Sequence, residues 1–149
     1  MIREKGKDKN MKLNIGGKEY TIKFGYKPTL KERIISKFIK YAGMKDEDGK
    51  MDFEKVEDLL LFLPEALLAG LQVHHKEFRY DYDTGEGKEE QLKKAFDLVE
   101  EHMNSEDADV MEFFNQLQEA LTQDSFLRGL FQKEQKKAEE AEKKAKNEN

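Results

Sequence analysis

The chain has 149 residues, 40% of them charged and 37% hydrophobic, with a net charge of −5 and no cysteine. That length suits one globular domain, expected over residues 11–131, between a loose extension (1–10) and a solvated tail (132–149). The missing cysteines exclude disulfides and thiolate zinc sites, and the longest apolar run, Leu59 to Leu63, is far short of the roughly 20 residues that span a bilayer.

The extension is charged and has no apolar stretch, so it does not read as a signal peptide. From Lys12 the apolar residues alternate, with Leu13 and Ile15 on one arm and Tyr20, Ile22 and Phe24 on the other, around Gly16 and Gly17. This predicts a β-hairpin. Gly25 and Pro28 are expected to close the sheet, and Thr29 with Glu32 has the spacing of a capping box that starts a helix. Leu30, Ile34, Ile35, Phe38 and Tyr41 give that helix an apolar stripe to lay on the hairpin, and Gly43 is its stop signal.

Asp52 is the expected N-cap of a second helix bearing Val56, Leu59, Leu60 and Leu63, and Pro64 is expected to kink or restart the chain. Leu67, Leu68 and Leu71 follow as a short central helix. Residues 78–83 alternate aromatic and charged side chains, compatible with a short strand or an extended loop. Leu92, Ala95, Phe96, Val99 and Met103 mark a long helix. Val110, Phe113, Phe114, Leu117 and Leu121 mark another, after Ser105 and Asp107, and Asp124 is placed to cap a last turn with Phe126, Leu127, Leu130 and Phe131. The fold class read from this pattern is α+β and predominantly helical: an N-terminal hairpin packed on a bundle of about five helices. In the tail, Glu139 with Lys143, Glu140 with Lys144 and Glu142 with Lys146 support a helix that buries nothing.

Charge is unevenly placed. Residues 11–45 carry nine basic and two acidic side chains (+7), and residues 46–131 carry eight basic and twenty-three acidic ones (−15). Opposed charges of this kind predict either head-to-tail self-association or neutralisation within one molecule. The net acidity argues against nucleic acid as the main ligand, since phosphate contacts need a basic face.

Candidate chemistry mostly fails on spacing. The loop Asp46, Glu47, Asp48, Gly49 resembles the middle of a calcium-binding loop, but with Gly49 at the sixth position Met44 falls at the first and Lys55 at the twelfth. The bidentate glutamate that closes the cage is missing. His74, His75 and Glu77 are the densest set of metal-type ligands, yet a closed zinc site needs four, and the other histidine is the distant His102. Gly85 and Gly87 make half a phosphate-binding turn, with Glu90 where the third glycine belongs and acidic neighbours that repel phosphate. Ser36, Ser105 and Ser125 sit in helix-surface or capping contexts without a nucleophile motif. Neither an enzyme nor a cofactor or metal site is expected.

Residues 11–28 (MKLNIGGKEYTIKFGYKP), 67–78 (LLAGLQVHHKEF) and 124–131 (DSFLRGLF), ahead of a Lys/Glu tail, together resemble the tail assembly chaperones of long-tailed phages and prophages of Gram-positive bacteria. The resemblance extends over most of residues 11–131 and rests on a general pattern of hairpin, helices and charged end; residues 1–10 depart from it. It implies a non-enzymatic protein of the host cytoplasm that coats the tape-measure protein, keeps it soluble, recruits tail-tube subunits and is absent from the finished virion. Many members of that family also occur as a longer product made by ribosomal frameshifting near the end of the short form.

A holder of a long, partly apolar helical chain needs adaptable hydrophobic surface. The candidate partner-binding residues are Phe113, Phe114, Leu117, Leu121, Phe126, Leu127, Leu130 and Phe131. The bland alternative is that such a stripe is core. Two other functions compete: a calcium- or metal-responsive regulator built on the Asp46 loop or the His74–His75 pair, and a generic adaptor with an unrelated partner.

Overall fold

The protein is described by a computed structural model, which covers residues 11–42 and 52–133. The N-terminal extension, the Gly43 stop signal, the Asp46 to Gly49 loop and the Lys/Glu pairs of the tail lie outside the described residues. Strands β1 (Met11–Ile15) and β2 (Lys18–Ile22) form an antiparallel hairpin, followed by α1 (Tyr26–Lys31), α2 (Ile34–Ala42) and α3 (Phe53–Leu71). A single 3-10 turn (Lys76–Phe78) leads to α4 (Lys88–Met103) and α5 (Val110–Gln123), and residues 128–133 are again helical. The expected α+β, predominantly helical fold with an N-terminal hairpin is the observed one.

The hairpin turns on Gly16 and Gly17, with φ of 60° and 81°, the left-handed pair that a two-residue turn between twisted strands requires. Its register pairs Leu13 with Tyr20 and Ile15 with Lys18, so Leu13, Ile15, Tyr20 and Ile22 share the buried face. Helix α3 is the centre, with β2, α2, α4 and α5 all packed on it. Pro64 does not restart it: 19 residues run as one helix through the proline. Leu59, Leu63, Leu67 and Leu71 are fully buried on either side of that point. At about 1.5–3 kcal/mol per buried leucine, their burial outweighs the roughly 3 kcal/mol an internal proline costs.

The stretch expected as one helix from a Thr29 cap is two. Helix α1 already starts at Tyr26 with Gly25 as a cap that offers no side-chain bond, and Pro28 lies in its first turn, where an amide hydrogen has no helical partner anyway. Thr29 cannot act as a cap because its own N–H already donates to Gly25 O at 3.2 Å. Arg33, at φ 52°, then breaks the chain and redirects it into α2. The redirection takes Leu30 out of the expected stripe: it is 45% exposed, whereas Ile34 and Phe38 are buried.

Asp52 caps α3 as expected, accepting from the N–H groups of Glu54 and Lys55, and Asp109 does the same for α5 through Met111 and Glu112. Residues 78–83 contain no strand. They form a loop in which the Asp81 carboxylate accepts from the N–H groups of Asp83 and Thr84, which hold its pKa below the usual range. Asp124 ends α5, but the cap of the last turn expected of Asp124 is made by its neighbour Ser125, whose Oγ accepts from Leu127 N–H and donates to Leu121 O. Three basic residues of the front half meet acids of the rear half within the molecule, Lys27 and Lys31 at Asp83 (2.8 and 3.3 Å) and Lys37 at Glu65 (3.4 Å).

Candidate functional site

The eight candidate partner-binding residues divide. Phe113, Phe114 and Leu117 are buried in the core cluster, and Leu127 is nearly so. As an exposed binding surface these four are corrected: α5 turns Phe113 toward His102 of α4 and Phe114 toward Phe38 of α2, Leu127 is buried beyond the end of α5, and truncating any of them would open a cavity. Leu121 is also buried, but it forms part of the lining of a groove. Phe126 and Leu130 are 46% and 58% exposed, and Phe131 is half-buried against the same groove.

The groove runs between α2 and α5. Ile35, Phe38, Ile39 and Ala42 line it from α2, Gln118, Leu121 and Thr122 from α5, and Phe131 from the helical end. It encloses about 150 Å³. An apolar space of that order accommodates a benzene-sized group without water. Its polar members contribute little polarity, since the Thr122 hydroxyl donates back to Gln118 O at 3.0 Å. Ile39 stands at the mouth, 68% exposed. The Phe126 ring meets the Tyr26 ring of α1 at 5.2 Å, both of them open to water.

Ile35, Ile39 and Ala42 were missed as site residues. Their signal was legible: Ile34–Ile35, Phe38–Ile39 and Tyr41–Ala42 form a doubled stripe, wider than one buried contact requires.

The other candidates have structural work. His75 Nε2 accepts from Thr21 N–H at 3.0 Å, so its proton sits on Nδ1, 3.3 Å from Glu77, and its ring packs on Tyr20 at 5.4 Å. Among the described residues no three His, Asp or Glu side chains stand together as an ion site. Gln72 is buried at the end of α3, where its Nε2 donates to Leu68 O and Phe78 O and its Oε1 accepts from Tyr82 Oη at 2.8 Å. Arg79 donates to Gln72 O and Val73 O, both at 2.8 Å, and so closes the helix terminus.

Burial pushes the Glu32 carboxyl up, but Lys88 Nζ at 2.5 Å and Tyr80 Oη at 2.6 Å outweigh it and hold its pKa below the usual carboxylate range. Burial and the same hydrogen bond to Glu32 push the Tyr80 phenol up, so it stays a neutral donor. The cluster ties the α1–α2 break to the start of α4 and presents no nucleophile. No described helix is long and apolar enough to cross a membrane. No protein-family model, curated protein or solved structure matches this chain.

Proposed function

We propose that this protein is a phage tail assembly chaperone: a non-enzymatic holder that binds and solubilises the tape-measure protein in the host cytoplasm and helps recruit tail-tube subunits. The observation that carries the reading is the open apolar groove between α2 and α5, with Ile39 exposed at its mouth and Phe126 and Leu130 exposed nearby. A helical client with apolar side chains at i and i+4 would seat one of them in the cavity and lie along α2. The resemblance in residues 11–28, 67–78 and 124–131 supports the same reading.

Co-expression with the tape-measure protein tests it. The expected result is a soluble complex that co-purifies and a tape-measure protein that precipitates when expressed alone. A tape-measure protein equally insoluble in both cases, with no co-purification, overturns the proposal.

A further inference from the structure

We infer that the outer edge of β1 is a strand-addition site for β1 of a second copy of this chain, giving a four-stranded antiparallel sheet about a twofold axis through Leu13. The inference is independent of the tape-measure reading and draws only on backbone hydrogen bonding. A two-residue turn makes Ile15 and Lys18 a hydrogen-bonded pair, and such pairs alternate along an antiparallel ladder. Leu13 and Met11 therefore bond inward to β2, while the N–H and C=O groups of Lys12 and Asn14 point away from it.

The two edges of the hairpin are treated differently. On β2 the outward N–H of Thr21 goes to His75 Nε2 at 3.0 Å, and that of Lys23 goes to Gly70 O at 2.8 Å. A strand arriving there would have to displace the end of α3. On β1 the outward groups of Lys12 and Asn14 have no hydrogen-bond partner among the described residues, and both side chains are exposed. Such an edge is a template for another strand unless it is guarded. Its guard is Lys12, whose Nζ lies 3.7 Å from Glu19 across the hairpin's outer face.

A second β1 fits this edge better than an arbitrary strand. With the axis through Leu13, Lys12 of each copy stands opposite Asn14 of the other, and both pairs are of the hydrogen-bonded kind, so every outward group finds a partner. No like charges face each other. Leu13 stands opposite its own twin, but each is already covered by its own core, so the backbone ladder and not new apolar burial carries the contact.

Sedimentation of the full chain between about 5 µM and about 0.5 mM tests the association, because self-pairing follows mass action. Dimerisation is expected, with Asn14→Pro raising the dissociation constant at least about tenfold. That proline removes an outward N–H and leaves the β1–β2 ladder intact. Concentration-dependent amide exchange supplies a second measure that needs no variant: Lys12 and Asn14 should slow as the dimer fills, with Leu13 unchanged. A monomer across the range overturns the inference. So does a dimer that Asn14→Pro leaves intact, or Lys12 and Asn14 amides protected equally at every concentration, which would mean that another part of the same chain covers the edge.

Discussion

The hairpin and the C-terminal end meet the helical centre in opposite ways. At the hairpin the interface is dry and sealed: Ile22 and Phe24 are fully buried, Gly70 of α3 lets them approach, and Lys23 and Thr21 tie the strand to Gly70 O and His75. At the C-terminal end Leu127 is buried, but Phe126 and Leu130 lie open and Phe131 closes a groove only partly. Close packing and satisfied polar groups fix the first interface in one arrangement. The second keeps apolar area in water, where a partner gains by covering it.

The sharpest test of that contrast is a pair of phenylalanines from the same predicted surface. Phe113 is fully buried beside the His102 ring at 4.8 Å, and Phe113→Ala should lower the stability by about 3–5 kcal/mol. Phe126→Ala should cost less than about 1 kcal/mol, because much of the ring already faces water. Urea denaturation of the two variants reads the difference, and equal losses would erase the distinction between the covered and the open parts of that surface.

At the sealed interface, Gly70→Ala places a Cβ 2.7 Å from Ile22 Cγ2 and 3.4 Å from Phe24 Cζ. Overpacking of this kind costs about 1–3 kcal/mol, more than the roughly 1 kcal/mol that alanine returns in helix propensity. A lowered urea midpoint is expected. An unchanged one would show that the hairpin can slide on α3 and that its packing is looser than its burial implies.

The Glu32 cluster adds a pH signature. A carboxyl with a native pKa below its ordinary value of 4.5 stabilises the fold above that value, and the contribution disappears as pH falls through the lowered native pKa. Glu32→Gln should therefore cost about 1 kcal/mol at neutral pH, where Lys88 and Tyr80 lose an ionised acceptor. Near pH 3 the gap between the variant and the parent should narrow. A gap that stays constant from neutral to acid pH would remove the charge from the account and leave only shape.

What the residues revealed in advance follows from how local each signal is. The hairpin was legible because alternation and the Gly16–Gly17 turn lie within a few positions of one another, and Asp52 was legible as a cap because its bonds reach two and three residues ahead. Pro64 misled because its cost is local while the burial that overrides it comes from β2, α2 and α4. The break at Arg33 carries no glycine to announce it; Glu32, bonded to Tyr80 and Lys88 far along the chain, points to tertiary contacts as its cause. The candidate surface was half legible for a related reason: periodicity identifies which face of α5 is apolar, but whether that face is covered depends on where α2 lands.

The smallest expected effect on stability is the most telling for function. Ile39 is 68% exposed, so Ile39→Asp gives up little burial and should change stability by less than about 0.5 kcal/mol. The same substitution sets a carboxylate at the mouth of an apolar groove, where an entering side chain would have to desolvate it. Under the proposed function, co-purification with the tape-measure protein should fall sharply while the thermal midpoint stays in place. Leu121→Ala supplies the contrast: it enlarges the groove but removes core packing, so its binding and stability should fall together. If Ile39→Asp binds as the parent does, the groove is a packing defect, and the exposed Tyr26–Phe126 pair becomes the place where a client would have to sit.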